Sequence, residues 1–171
     1  MKYIKKSKNE PESLIKFKAQ ENEDWKPLYK NTDKEVSQAL RQQLYDDQGG
    51  ICCYCMGKID INNSKIEHLL PQERFPEKDL EYSNLYLACK GEEPQTDNKA
   101  KKLLHCDSAK GSTMIPPYLQ YEKCQELFEY TSKGYMKGKS GKDKVLAETI
   151  DLLALNKSKT CIDGRESVFH A

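Results

Sequence analysis

Cys52 and Cys55 are separated by two residues, and Cys89 and Cys106 follow downstream. A Cys-x-x-Cys spacing lets two thiolates meet one ion, and tetrahedral zinc asks for a second pair from elsewhere in the chain. That demand constrains the fold more than any other feature, because four distant positions must then converge. The second pair is spread: the stretch from Lys90 to His105 has to loop out between its ligands. Such a loop is tolerable, because closure cost grows only slowly with length. Cys53 competes with Cys52 but stands too close to Cys55 for this geometry, and His105 competes with Cys106. Cys124 and Cys161 show no partner pattern and read as buried thiols.

The chain has 171 residues, enough for one domain with terminal helical extensions. Apolar residues make up 37% and charged residues 32%, so the core cannot be rich and some order must come from a staple or a partner. The formal net charge is only +1, whereas a protein gripping a duplex alone usually carries a basic excess. Positive charge is local: Lys99, Lys101 and Lys102, then Lys133, Lys137, Lys139, Lys142 and Lys144. No apolar run approaches the length of a membrane span, and Met1–Lys6 is charged without an apolar stretch behind it. The expected location is the cytoplasm, where seven cysteines read as metal ligands and free thiols rather than disulfides.

Residues 11–22 read as a short helix with Pro11 near its start. Asp33 reads as the N-cap of a helix over 34–47 with a stripe of Val36, Leu40 and Leu44, ended by Gly49-Gly50. A cysteine knuckle follows. Alternation predicts a strand over 57–61, Asn62-Asn63 a turn, and Ser64–Leu70 a second strand stopped by Pro71. Residues 72–83 and 90–98 read as loops, and 84–88 as a short apolar segment. Residues 107–113 start a helical turn. A hairpin is expected across 126–131 and 134–138, then a helix from Lys142 to Leu155 and more helix at the C-terminus. The expected divisions are an N-terminal helical extension for partner docking (1–48), a zinc-stapled core (49–115), and a hairpin with C-terminal helices (116–171). The fold class is α+β.

Interleaved with the cysteines are Glu67-His68, Asn84, Asp107 and Lys110. Hydrolysis of a phosphodiester needs a base for water and positive charge at phosphorus and the leaving oxygen. A neutral histidine can serve as the base near physiological pH, and a hydrated Mg²⁺-like ion held by oxygen ligands supplies the charge. His68 is the candidate base, with Glu67 and Asp107 as carboxylates. Asn84 either fixes the loop or holds the imidazole, and Lys110 meets a phosphate. Glu67 and His68 would point to opposite faces of an extended strand, so both serve one site only if the backbone bends there. Each residue has a plainer role: a structural histidine, a helix cap at Asn84, a turn cap at Asp107.

Ile51-Cys52-Cys53-Tyr54-Cys55, Ile66-Glu67-His68 with Pro71-Gln72, Tyr82-Ser83-Asn84-Leu85, Cys89-Lys90-Gly91 and His105-Cys106-Asp107 with Lys110-Gly111 together resemble the HNH endonucleases. Within that family they look like the PtuB-like components of Septu and retron anti-phage systems. The resemblance covers about residues 45–112. It implies a ββα-metal centre with a four-cysteine Zn²⁺ site (Cys52, Cys55, Cys89, Cys106), and a catalytic Mg²⁺ or Mn²⁺. It implies His68 as general base, Glu67 as metal ligand and Asn84 as the middle residue of the motif. Asp107 takes a third position where many members carry Asn or His. The implied partners are a PtuA-like ABC/SMC-type ATPase, nucleic acid, and in retron versions a reverse transcriptase with its multicopy DNA. Against that pattern the C-terminus looks short, as in a compact or truncated variant. The alternative function is a zinc-stapled scaffold for an ATPase or nucleic acid that performs no chemistry.

Overall fold

The computed structural model describes residues 1–94, 101–139 and 143–170. Lys99, Lys142 and part of the 90–98 loop lie outside the described residues. Helix α1 spans Glu12–Lys18 and packs on α2, Lys34–Gln48. As the cap signals require, the Asp33 carboxylate accepts the Val36 N–H at 2.8 Å. Gly49 then closes α2 in the left-handed region, φ 64°, which a side chain disfavours. The stripe Val36, Leu40 and Leu44 is buried, and Phe17 meets Trp25 edge-on at 5.7 Å.

The end of α2 aims the knuckle. Gln48 is buried, and its amide donates to the Ile51 carbonyl at 2.7 Å and the Leu87 carbonyl at 2.8 Å. Its carbonyl accepts the Leu87 N–H at 2.6 Å. Helix, knuckle and strand are thereby fixed to one another through one side chain. The strand expected over 57–61 does not form. Instead this segment folds back on the knuckle, with Cys52 N–H donating to Gly57 O at 2.9 Å and Ile59 N–H to Gly50 O at 3.0 Å. Only an isolated bridge, Ile51 to Lys58, remains of it. The alternating pattern is real, but the knuckle takes the backbone groups a strand would need.

Strand β1, Ser64–His68, pairs antiparallel with β2, Leu85–Cys89, placing Glu67 opposite Tyr86 and His68 opposite Leu85. β1 stops two residues earlier than the apolar pattern suggests, because the chain bends at Leu69-Leu70. The long connection back to β2 is pinned by Asn84. Its carbonyl accepts the Leu70 N–H at 2.7 Å, and its amide donates to the carbonyls of Leu70 and Lys78, both at 3.1 Å.

The stretch expected as a loop after Cys89 contains a second hairpin, β3 (Glu92–Pro94) with β4 (Lys102–Leu104). It brings the chain back to Cys106, after which α3, Asp107–Lys110, begins. A third hairpin joins β5 (Phe128–Tyr130) to β6 (Met136–Gly138), as turn chemistry at Ser132–Gly134 suggests. Helix α4, Lys144–Leu152, is capped by Asp143. Helix α5, Lys159–Phe169, is capped by Ser158, whose hydroxyl also donates to Glu93 at 2.7 Å. One apolar core runs through all three expected divisions, from Met1 and Leu14 through Leu87 to Leu155 and Cys161.

Replacing Asn84 by Ala removes three hydrogen bonds and strands the Leu70 N–H. The expected cost is about 3 kcal/mol, read as a lower urea midpoint at unchanged slope.

Candidate active site and metal centre

Two features meet around the β1–β2 hairpin: a sulfur cluster and an acidic cleft. The thiols of Cys52, Cys55, Cys89 and Cys106 lie within 4.8 Å of one another. Cys55 and Cys89 approach to 4.0 Å. Four convergent thiols drawn from the knuckle, the end of β2 and the start of α3 fit a tetrahedral zinc ion. Cys53 is buried beside Cys52 but is not one of these four donors, and its N–H is bound to Leu87 O.

Two further residues join the cluster, Cys161 against expectation and His105 as the expected competitor of Cys106. Cys161 reads as a solitary thiol in the sequence, yet its sulfur lies 3.4 Å from His105 Nδ1. His105 Nδ1 in turn lies 3.2 Å from Cys106 Sγ and 3.9 Å from Cys89 Sγ. His105 therefore accompanies Cys106 instead of displacing it.

The cleft encloses about 270 Å³ and is lined by Glu67, His68, Gln72, Asp107 and Lys110 among others. Both Glu67 and His68 line it, although both lie within β1, with the chain bending only after His68. Glu67 is 2% exposed. Its Oε1 accepts the Tyr54 hydroxyl at 2.7 Å and lies 2.7 Å from the Lys110 ammonium. Asp107 reaches the same carboxyl from the first turn of α3. Burial, reinforced by Asp107, pushes the Glu67 pKa up to about 8 against the pull of Lys110. The buried Glu67 carboxyl, paired with Lys110, and the half-buried Asp107 carboxyl form an oxygen donor set that suits a hard divalent ion.

His68 lies in the same cleft but does not close on the acids. Among the described residues, the groupings of three or more close His, Cys, Asp or Glu donor atoms are both built around Cys106. The His68 ring turns instead to Asp79, whose backbone carbonyl is 3.0 Å from Nε2 and whose carboxylate is 3.4 Å away. A carbonyl only accepts, so Nε2 carries the proton and Nδ1 keeps its lone pair. Tyr29 packs edge-on against the ring at 5.1 Å and donates its N–H to Asp79 at 2.7 Å. Burial, outweighing the Asp79 groups, holds the imidazole below its usual 6.5 and hence neutral.

Asn84 sits in the connection, not on the imidazole. The first of its two expected roles, fixing the loop, is the one its hydrogen bonds serve. The expectation for Lys110 is a phosphate contact. Lys110 is 2% exposed, and its ammonium is engaged with Glu67, with His68 O at 3.1 Å and with Gly111 O at 3.4 Å. Tyr54 and Asp79 escape the sequence reading. A tyrosine between two knuckle cysteines is a visible signal, but an aspartate within a polar loop is not.

No family model matches the chain. No helix among the described residues is long and apolar enough to cross a membrane. A retron Vc95 protein of Vibrio cholerae serotype O1 biovar El Tor, provisionally named an HNH endonuclease, is 23% identical over 140 residues. That match covers 78% of this chain and 65% of the relative, so the chain spans about two thirds of that protein. A retron Ec83 protein of Escherichia coli with the same provisional name is 27% identical over 210 aligned positions, covering 99% of this chain and 80% of the relative. The chain is thus a distant relative of proteins named as retron HNH endonucleases, and it carries a four-cysteine cluster able to hold zinc.

Proposed function

We propose that this chain is a metal-dependent HNH endonuclease that hydrolyses nucleic-acid phosphodiester bonds within a retron-type or Septu-type defence assembly. The observation that carries the reading is the shared cleft, lined by the His68 imidazole, which is held by Asp79, and by the Glu67 and Asp107 carboxyls. Names of two distant relatives support the same class.

Glu67 and Asp107 would hold a divalent cation, Mg²⁺ or Mn²⁺, which when bound neutralises phosphate and leaving-group charge. His68 accepts the proton of the attacking water at Nδ1, while the Asp79 carbonyl holds Nε2–H and supports the imidazolium that forms. Tyr54 orients the Glu67 carboxylate from the knuckle side. Lys110 holds the Glu67 carboxyl in the buried cleft. Asn84 keeps the 69–84 connection, and with it Asp79, in place. The net charge of +1 favours a partner that supplies most of the nucleic-acid affinity, and an ABC/SMC-type ATPase docked on the N-terminal helices fits that need.

His68→Ala decides between a nuclease and a scaffold. Expected is loss of Mg²⁺- or Mn²⁺-dependent cleavage of labelled DNA or RNA, by about a thousandfold, with zinc content and partner binding retained. Cleavage that survives this substitution removes the catalytic assignment. At saturating Mn²⁺, where Glu67 no longer limits metal binding, the acid limb of the wild-type pH–rate profile should have its midpoint below 6.5, following the lowered His68 pKa.

Divalent-ion binding should also report on Glu67. Below about 8 the folded chain holds a proton on this carboxyl that the ion must displace. Mn²⁺ affinity, measured calorimetrically, should therefore rise by about tenfold per pH unit up to that value and then level off. Tyr54→Phe should weaken Mn²⁺ binding by about tenfold and leave zinc content unchanged.

A further inference from the structure

His105, Cys106 and Cys161 bring one nitrogen and two sulfurs within 4.8 Å of one another, and all three residues are buried. His105 Nδ1 stands 3.2 Å from Cys106 Sγ and 3.4 Å from Cys161 Sγ. Nitrogen and sulfur donors to one tetrahedral zinc ion stand about 3.5 Å apart, given bond lengths of about 2.0–2.3 Å. The four-cysteine cage uses only Cys106 of this trio, so His105 and Cys161 are unexplained by it. Their placement is also well supported. His105 donates its N–H to Gly91 O at 2.8 Å, and Cys161 lies in the first turn of α5, where its N–H is bound to the Ser158 hydroxyl at 3.1 Å.

We infer that His105, Cys106 and Cys161 form a second zinc site, joined to the four-cysteine cage through the shared Cys106 sulfur. A thiolate bound to one ion keeps lone pairs for another. Four thiolates around one Zn²⁺ leave two negative charges in a buried place. Adding a fifth thiolate, a neutral imidazole and a second Zn²⁺ leaves one, which lowers the burial cost. The bond balance is simple: Cys161 loses its thiol proton to solvent, His105 donates the Nδ1 lone pair, and no electron changes hands. A cleft of about 690 Å³, lined by Cys55, Cys89, His105, Cys161 and Arg165 among others, opens on the cluster. Solvent from it can complete the fourth position. Through Cys161 this second ion ties α5 to the cage.

The test is metal stoichiometry on the full chain, stripped by chelator under reducing conditions and reloaded with Zn²⁺, Co²⁺ or ¹¹³Cd²⁺. Expected for the wild type are two equivalents by elemental analysis. Two ¹¹³Cd resonances should appear, one from an all-sulfur site and one from a mixed sulfur–nitrogen site. Cys161→Ser and His105→Gln should each hold one equivalent and lose the mixed-donor resonance, with far-UV circular dichroism unchanged. Saturation of the wild type at one equivalent, with Cys161→Ser identical, overturns the second site and leaves the cage intact; His105 and Cys161 are then hydrogen-bonding neighbours of a single zinc. Two equivalents retained in both variants also overturn it. A wild type that binds no zinc at all removes the cage as well.

Discussion

Convergence of four sulfur atoms from three separated stretches is the constraint around which the remaining structure is arranged. A chain with 37% apolar residues has limited hydrophobic surface to bury, and the regular elements among the described residues are short: the longest helix has 15 residues and the strands three to five. Short hairpins are marginal alone. A zinc ion bound by the folded state but not by the open chain contributes its binding free energy directly to folding. The apolar core and the Gln48 clamp bring the knuckle, β2 and α3 close; the metal site rewards their meeting.

The same cysteines distribute the cleft. Tyr54 lies between Cys53 and Cys55, and its hydroxyl reaches Glu67. Asp107 directly follows Cys106, so the sulfur that enters the cage also sets the first turn of α3 and, three residues on, Lys110. Cys89 ends the strand whose pairing fixes Glu67 and His68. Tyr54 and Asp107 are therefore each next in the chain to a cage cysteine. The imidazole ring is held from elsewhere. Its support is the loop residue Asp79, held by the Tyr29 N–H and by Gln72, and that loop is held in turn by Asn84.

Local signals were enough for some of this. The Asp33 cap, the Val36–Leu40–Leu44 stripe and Gly49 specify α2 within its own length, and the two-residue gap between Cys52 and Cys55 specifies the knuckle. Other parts depend on distant partners. Residues 57–61 alternate like a strand, but their backbone groups are claimed by Gly50 and Cys52. Cys161 has helical neighbours and no spacing to another cysteine; α5 is docked by Ser158 on Glu93 and by Arg165 on the carbonyls of Gly134 and Leu155. Asp79 acts on His68 chiefly through a backbone carbonyl, which any residue possesses, so side-chain chemistry could not mark it. Lys110 carries a charge that reads as a phosphate ligand until burial shows it answering a carboxylate.

Gly91 stands two residues beyond Cys89, with φ 65° and its missing side-chain position directly against the His105 carbonyl oxygen. A single methyl group there would wedge apart the strand end bearing one sulfur and the turn bearing another. A side chain at this position is closed off by backbone geometry alone. Among diverged copies of this chain, a bare backbone at that point should persist as long as the sulfurs it lets together.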